Sequence, residues 1–336
     1  MKVKFKKVYK LNHESTKVEE IKLSEDKNDF NDYLDELIND VVFDERSKQF
    51  NFPEEETRIM TIIRSTRDRR EDEQLKKIAN KLLKAESLAQ QKIEHLDREI
   101  QRGILLIASV ISSDTSYFVI CKAEHFDFIS EVDKRRAQGL PIKKKIFKSF
   151  VAHLGKGGKL NRAMVGDSKP RISSYWWKDF LELIEVYTSE YNTERIWDVL
   201  DRKVFSPMKD RFKADRTYLR NATVHFFRKK DEFILTDYLS EVIDSYKPED
   251  NDLDIKVISE KIKQLPEKES FDNRFEIAKD KLKKKVRTSI KLSPELRLEI
   301  LNSTDLRTLV KAEIIRGVKT ILIRSDEGYD HFALEK

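Results

Sequence analysis

Two short apolar runs lie near the centre of the chain, at residues 104–111 and 117–121, with the polar residues 112–115 between them. Both runs are rich in β-branched and aromatic residues, and polar turn residues between two such runs are typical of a β-hairpin. A helix is the alternative for each run, but the short lengths and the polar break favour strands. The pattern therefore predicts a hairpin at the heart of a sheet.

Periodic apolar positions predict further elements before the hairpin. Residues 1–9 alternate lysine with apolar residues, as in a strand with one solvated face. Apolar residues at helical spacing predict an amphipathic helix at 29–43 and the longest helix of the chain at 68–102. Gly103 is the predicted stop of that helix. Residues 57–63 are predicted as a short strand or a turn.

After the hairpin the pattern changes from strands to helices and back to strands. The predicted elements are an extension of the hairpin or a turn at 123–128, a polar connection at 133–138, strands at 142–154 and 162–165, helices at 174–187, 196–204, 208–227, 235–243, 255–264 and 271–285, and strands at 288–292, 295–301 and 318–324. Ser174 is the expected N-cap of the first of these helices.

These elements predict an α+β protein, with a mainly antiparallel sheet and flanking helices, a helical middle segment and a C-terminal β unit. We place a domain boundary between residues 190 and 191. Residues 1–190 form an α+β domain with the central hairpin and basic strands, and residues 191–336 form a helical segment with the C-terminal β unit.

The composition is that of a folded protein with a densely charged surface, since 39% of the 336 residues are hydrophobic and 38% are charged. The single cysteine, Cys121, lies inside the second apolar run, so we expect a buried core thiol and no disulfide. No run approaches the ~20 apolar residues of a membrane span, and the N-terminus lacks the apolar core of a signal peptide. We expect a soluble, cytoplasmic protein without a cofactor.

Charge is distributed unevenly along the chain, although the net charge is only +6. Residues 14–56 contain 15 acidic and 5 basic residues, whereas residues 143–230 contain 21 basic and 10 acidic ones. Such segregation creates a field that steers a polyanion toward the basic part. The alternative is that these charges belong to ordinary solvated helix surfaces.

Motifs for nucleotide and metal binding are incomplete. The glycine- and lysine-rich residues 155–159 lack a phosphate-loop signature, because Lys159 is followed by Leu160 and not by serine or threonine. They remain either a cationic hairpin tip or an exposed turn. Residues 250–261 begin like a calcium-binding loop but lack its central glycine and its final glutamate. The six histidines show no metal-ligand spacing.

Basic clusters interleaved with aromatic residues are the remaining signal. Phosphate neutralisation supplies most non-specific affinity for DNA and requires only lysine and arginine along one face. Trp176, Trp177 and Trp197 could stack on bases, but their spacing is more typical of core positions. On charge alone, the predicted DNA-binding residues are Lys143, Lys144, Lys145, Lys156, Lys159, Arg162, Arg211, Lys213, Arg216, Arg220, Lys281, Lys283, Lys284, Lys285 and Arg287.

Several short blocks occur in a characteristic order across most of the chain. The blocks are residues 117–122, 126–129, 139–144, 165–167, 175–181, 275–292 and 317–321. Together they resemble the bacterial 37-kDa nucleoid-associated protein family. The resemblance implies a cytoplasmic, nucleoid-located protein that associates with DNA and has no known catalytic motif. It does not identify the residues that contact DNA.

We expect sequence-independent binding of double-stranded DNA, in nucleoid organisation or in a bacterial DNA-transaction or phage-defence complex. No helix-turn-helix or zinc-finger signature supports base readout. One alternative is a protein-interaction component, with a basic partner or a second copy docked on the acidic N-terminal region. The other is a cryptic metal-dependent nuclease, for which Lys122 and Glu124 are a fragment of the required carboxylate–lysine group.

Replacing Lys283, Lys284 and Lys285 with glutamate is expected to weaken DNA binding without unfolding the protein, because three phosphate-attracting charges are reversed. A mobility-shift titration measures the affinity, and circular dichroism measures folding. Unchanged affinity in a folded variant would remove this cluster from the interface.

Overall fold

The computed structural model describes residues 1–26, 28–66, 71–96, 99–113, 115–132, 134–142, 147–155, 159–169, 171–282, 288–300 and 306–333. The chain divides into two compact units, Met1–Val186 and Tyr187–Lys336. This division falls close to the predicted domain boundary, and the assignment of two independent domains stays a prediction.

In its described residues the first unit contains ten strands, three α-helices and two short helical turns. Its strands are β1 (Lys2–Asn12), β2 (Lys17–Ile21), β3 (Lys48–Asn51), β4 (Gly103–Ser112), β5 (Thr115–Glu124), β6 (Phe126–Ser130), β7 (Arg135–Gly139), β8 (Phe147–Leu154), β9 (Leu160–Asp167) and β10 (Ile184–Glu185) among the described residues. Its helices there are α1 (Asp29–Val42), α2 (Arg58–Thr66) and α3 (Asp72–Ile93), with a 3₁₀ turn at Glu94–Leu96 and a π-helical turn at Tyr175–Phe180.

Eight of these strands form one antiparallel sheet in the order β10-β3-β9-β8-β5-β4-β1-β2. The predicted central hairpin is confirmed, because β4 and β5 pair along their full lengths, from Gly103↔Glu124 to Ser112↔Thr115. The predicted α+β class, with a mainly antiparallel sheet and flanking helices, is confirmed as well.

Helices cover both faces of the sheet, which explains why β4 is apolar on both faces. One face packs against α2, α3 and the π-helical turn through residues such as Phe118 and Trp176. The other face packs against α1 through residues such as Leu37. Cys121 lies in this second core, and burial raises the pKa of its thiol, as expected for a core cysteine.

Gly103 is not a helix stop, because α3 ends at Ile93 and the 3₁₀ turn ends at Leu96. Gly103 instead begins β4 at the point where β5 approaches most closely. A Cβ atom at this position would lie 2.1 Å from the carbonyl oxygen of Ala123. Glycine is therefore required by the close approach of two central strands.

Three further expectations for the first unit are wrong. Residues 57–63 belong largely to α2, whose apolar side chains face the core. The expected polar connection at 133–138 contains most of β7. The expected helix after Ser174 is only the π-helical turn, and the Ser174 side chain does not cap it. The chain then turns at Glu182, which has a positive φ of 56°, and enters β10.

The second unit is helical in its middle, as predicted, and its β-hairpins are followed by a short helix at Asp326–Phe332. Its helices are α4 (Ser189–Leu200), α5 (Lys213–Lys229), α6 (Leu235–Tyr238), α7 (Ile255–Lys263), α8 (Leu265–Glu269), α9 (Lys279–Leu282), α10 (Leu306–Leu309) and α11 (Asp326–Phe332), with π-helical segments at Asp201–Phe205 and Leu239–Ile243 and a 3₁₀ turn at Ser206–Met208. Its strands are β11 (Glu232–Ile234), β12 (Arg274–Glu276), β13 (Thr288–Lys291), β14 (Arg297–Ile300), β15 (Val310–Ile315) and β16 (Val318–Ile323), paired as β11–β12, β13–β14 and β15–β16.

Stacked and edge-on aromatic rings hold the core of the second unit together, among them Phe226, Phe233, Tyr238 and Phe275. The predicted helix at 271–285 is wrong, because its described part contains β12 and the short helix α9. β15 was not expected from the sequence. None of the described helices is long and apolar enough to cross a membrane.

Candidate nucleic-acid interface

A two-stranded ribbon, formed by β6 and β7 (residues 126–139), leaves the eight-stranded sheet at the end of β5 and forms a sheet of its own. Its strands pair at five positions. The turn between them contains Val132, which is 91% exposed. A two-stranded ribbon is one of the elements that the major groove of B-DNA admits.

Large apolar side chains of this β6–β7 ribbon are exposed to solvent. Phe126, Phe128 and Ile129 are 54%, 45% and 71% exposed, respectively. Directly opposed residues of an antiparallel pair lie on the same face, so Phe128 shares one face with Ala137, while Ile129 shares the other with Arg136. Clustered apolar groups in water are typical of an interaction site.

Three consecutive cations occupy the turn and the first half of β7. Lys134, Arg135 and Arg136 are all exposed. Within the described part of the chain, none of the three has an acidic partner. The carboxylate of Asp127, at the other end of the ribbon, accepts a hydrogen bond from the Gln138 side chain (2.8 Å). The cationic groups are therefore available to an anionic ligand.

The base of the ribbon is fixed by hydrogen bonds to the segment that precedes β4. The His125 N–H donates to the carbonyl oxygen of Arg102 (2.8 Å), and the Gln101 side chain donates to the carbonyl oxygen of His125 (2.7 Å). Burial, Lys10 and Lys122 lower the pKa of His125 below its ordinary value of 6.5. The imidazole is therefore neutral at pH 7 and adds no charge to the ribbon base.

A network of charged side chains is buried next to this base, on the face of the sheet that packs against α3. The Lys148 ammonium lies 2.7 Å from Oδ2 of Asp167 and 3.5 Å from Oε1 of Glu124. The Lys169 ammonium lies 3.5 Å from Oε2 of Glu124. The buried Glu124 carboxylate accepts no hydrogen bond from the described residues, so these two ammonium groups neutralise it.

The network continues to α3 through an ion pair between Lys122 and Glu86, both of which are fully buried. Glu86 is also hydrogen-bonded to Nε2 of His13 (2.8 Å) and accepts a hydrogen bond from the Tyr175 hydroxyl (3.4 Å). Burial alone would raise the pKa of Glu86, but Lys122 and His13 hold that pKa below its ordinary value. Glu86 is therefore an ionised carboxylate that binds three different elements together.

The same network disfavours the nuclease alternative. Because the Lys148 ammonium contacts both Glu124 and Asp167, a positive charge already bridges these carboxylates. Lys122 is likewise engaged by Glu86. Among the residues that the structure describes, no group of three or more His, Cys, Asp or Glu side chains is placed to hold a metal ion. These buried ion pairs link α3, β5, β8 and β9 to one another.

Lys159 and Arg162 lie at the opposite end of the sheet from the ribbon. Both are exposed. β8 begins opposite Ala123, near the ribbon base, and ends opposite Ser116, close to Lys159. At about 3.3 Å per residue, the two ends of β8 are roughly 23 Å apart. These two predicted residues are therefore not brought together with the ribbon cations.

Two predicted cations of the second unit are surrounded by carboxylates. Arg211 donates to Oδ2 of Asp252 (2.6 Å). Together with Lys213 it lines a cleft that also contains Asp215 and Glu249. The residues that line the cleft include more carboxylates than cations, which is unfavourable for a phosphate backbone.

Arg216 and Arg220 are held by the helices that surround them. Arg220 is only 9% exposed, its Nε donates to Asp201 (3.0 Å), and its guanidinium lies 5.1 Å from the ring centroid of Trp197. Arg216 is half-buried and donates to the carbonyl oxygen of Phe205 (3.0 Å). Both side chains therefore stabilise the packing of the surrounding helices.

The three tryptophans occupy core positions. Trp176 and Trp197 are buried, and Trp177 is half-buried against Phe50 at a ring distance of 5.1 Å. Base stacking is therefore not their role in this fold.

Lys281, in α9, is exposed and remains a candidate. The other predicted residues lie outside the described residues: Lys143, Lys144, Lys145, Lys156, Lys283, Lys284, Lys285 and Arg287.

Lys134, Arg135 and Arg136 were missed in the sequence because residues 133–138 show no apolar alternation. The signal that could have found them is the preceding segment, residues 126–129, whose three large apolar residues are followed by a short polar break. No known protein-family model matches the chain, and no curated protein is significantly similar to it. The candidate interface therefore rests on geometry and charge.

The Lys122–Glu86 pair can be tested with a double-mutant cycle. Lys122→Met is expected to lower the free energy of unfolding by about 3–5 kcal/mol, because it leaves the Glu86 carboxylate buried without its main counter-charge. The variant Lys122→Met/Glu86→Gln is expected to be more stable than the sum of the single changes implies, by about 1 kcal/mol or more. Urea unfolding of the four proteins measures both quantities. Additive losses would show that the two side chains are not coupled.

Acid is expected to remove the contribution of Glu86 to stability. Because its pKa in the folded state lies below the ordinary carboxyl value of 4.5, the contribution is complete above pH 4.5 and is lost as the pH falls through the folded-state pKa. The difference in the free energy of unfolding between the wild type and Glu86→Gln should therefore be constant near neutral pH and shrink below pH 4.5. A difference that stays the same at low pH would contradict this assignment.

Proposed function

We propose that the protein binds double-stranded DNA without sequence preference, and that the β6–β7 ribbon and the basic segment after it make the principal contacts. The observation that carries this proposal is the row of three exposed cations, Lys134, Arg135 and Arg136, on a ribbon that projects from the sheet. None of them has an acidic partner among the described residues.

The charge of this part of the chain supports an anionic ligand. Residues 126–147 contain six basic and three acidic side chains, a net charge of +3, and they include the predicted residues Lys143, Lys144 and Lys145. Ionic contacts to phosphates do not depend on the base sequence, and they release counterions from the duplex. Binding of this kind is therefore independent of sequence and weakens steeply with salt.

The apolar side chains of the ribbon favour a duplex over a simple anion. Phe128 and Val132 are exposed beside the cations, at the middle and the turn of the ribbon. Some DNA-binding proteins insert apolar side chains such as phenylalanine between base steps, beside arginine and lysine side chains in the minor groove. A small anion would contact only the cationic groups and would leave these apolar side chains exposed to water.

The buried ion pairs hold the end of β5, from which the ribbon begins. Glu124 ends β5 and only His125 separates it from the ribbon, so the contacts of Glu124 with Lys148 and Lys169 lie at the base of β6. A ligand that binds the ribbon therefore meets a surface whose base is already ordered, which lowers the entropic cost of binding.

The resemblance to the nucleoid-associated family supports the same proposal, and with it a cytoplasmic, nucleoid location. Membership of that family stays a prediction. A nuclease activity is the weaker proposal, since the carboxylates at the ribbon base are bridged by lysine.

Neutralising two ribbon cations is expected to weaken DNA binding and its salt dependence. Arg135→Gln/Arg136→Gln removes two phosphate contacts, so the slope of log K against log salt should become shallower by about 2. Fluorescence anisotropy with a duplex of random sequence, titrated between about 50 and 200 mM salt, measures the slope. The effect should be the same for unrelated duplex sequences.

The matched control is Lys76→Gln/Lys84→Gln, which removes two exposed charges from the surface of α3. It changes the net charge by the same amount and should leave the slope nearly unchanged. An equal effect of both double variants would mean that binding responds only to overall charge and that the ribbon is not the interface.

A further inference from the structure

The hairpin β15–β16 of the second unit exposes an apolar strand edge. Among the described residues it pairs with no other strand. Ile314, Val318 and Ile323 are 72%, 64% and 50% exposed, respectively. An exposed apolar edge without proline or a bulge is a template for pairing with another chain.

The backbone of β15 offers a defined set of hydrogen-bonding groups at this edge. Leu309 and Arg324 form a hydrogen-bonded pair, since the Arg324 N–H donates to the Leu309 carbonyl oxygen (2.9 Å). Bonded and non-bonded pairs alternate along an antiparallel ladder. Val310, Ala312 and Ile314 therefore direct their N–H and C=O groups away from β16.

The side chains of this edge are complementary to themselves about Ala312. When two β15 strands pair in antiparallel register centred on Ala312, Lys311 of each copy lies opposite Glu313 of the other. Val310 of each copy then lies opposite Ile314 of the other. Lys311 and Glu313 are both exposed, and neither has an ion-pair partner among the described residues.

The neighbouring registers are disfavoured by the same charges. A register centred on Lys311 places two lysines opposite each other, and one centred on Glu313 places two glutamates opposite each other. Directly opposed like charges are destabilising in a sheet, whereas opposite charges stabilise it. Among the registers centred on residues 311, 312 and 313, the charge pattern thus favours the one centred on Ala312.

We infer that β15 pairs with β15 of a second copy in the register centred on Ala312, so that the two hairpins join into a four-stranded sheet. Two antiparallel Lys311–Glu313 contacts and two Val310–Ile314 contacts form across the junction. The apolar face of each hairpin, which includes Ile321 and Ile323, continues into that of its partner. This dimer does not depend on DNA binding by the ribbon of the first unit.

Charge reversal at the edge tests the register. In nuclease-treated full-length protein, Lys311→Glu and Glu313→Lys are each expected to raise the dissociation constant of the dimer about tenfold or more, because like charges then face each other twice. The double variant Lys311→Glu/Glu313→Lys restores opposite charges at both positions, and so should a mixture of the two single variants. Sedimentation velocity over a range of concentrations measures the dissociation constant.

A cysteine at the centre of the register gives an independent readout. Ala312→Cys should form an intermolecular disulfide under mild oxidation, because directly paired residues lie within the usual Cα–Cα range of about 4.4–6.8 Å. Thr320→Cys, on β16, is the control, since its two copies would lie about 14 Å apart across three strand spacings. The native Cys121 is buried and adds little background.

Three results would overturn the inference. The first is a wild-type protein that stays monomeric at every concentration. The second is a dimer that is unaffected by the single charge reversals. The third is equal cross-linking at positions 312 and 320. Circular dichroism and thermal unfolding of each variant separate loss of the dimer from loss of the fold.

Discussion

Burial of five charged side chains at one end of the main sheet is the constraint on which the first unit depends. Removing a carboxylate or an ammonium group from water costs several kcal/mol, and only complete pairing offsets this cost. The required partners come from distant parts of the chain: Glu86 from α3, Lys122 and Glu124 from β5, Lys148 from β8 and Asp167 from β9. Glu86 reaches Lys122 only when α3 packs on β5, and Glu124 reaches Lys148 only when β5 pairs with β8.

The network also explains how the sheet end can carry a projecting ribbon. Buried ion pairs contribute less to stability than apolar residues of the same volume, but they tolerate few alternative arrangements. At the end of β5 these ion pairs hold one carboxylate in place. Glu124 is the last residue of the strand, and its carboxylate is held by Lys148 and Lys169. The next residues enter the ribbon, so these contacts lie where the chain leaves the sheet.

The fold was predictable where side-chain periodicity and burial agree. The central hairpin and α1 follow directly from apolar runs and helical spacing, because both elements bury a continuous face. β7 and β15 were missed because both are exposed and rich in charge, so burial imposes no alternation on them. The Arg316-Gly317 pair between β15 and β16 is a local sequence signal for a hairpin turn. Arg316 and Gly317 have positive φ angles of 50° and 80°, as in a two-residue hairpin turn, where glycine is favoured.

The candidate site was less predictable than the fold, because a count of charges along the chain does not show which acidic residues fold against them. Arg211 and Arg220 belong to a basic stretch of sequence, yet Asp252 and Asp201 neutralise them. Asp252 follows Arg211 by more than forty residues, so no local sequence pattern indicates that the two side chains form a pair. Exposed cations become a binding surface only where such partners are absent, and this is a property of the folded chain.

Two exposed hairpins in the described part of the chain, β6–β7 and β15–β16, illustrate this difference. Both carry apolar side chains that water solvates poorly, and both have open edges. On β7 the charges next to the apolar groups, Arg135 and Arg136, are consecutive and of one sign, although β6 and the turn add the exposed Asp127 and Glu131. On β15 lysine and glutamate are two residues apart, on the same face of the strand, and an inverted copy of the strand places each charge opposite its counter-charge. In the two proposals, the consecutive cations of β7 favour an anionic ligand, and the alternating charges of β15 favour a second copy of the strand.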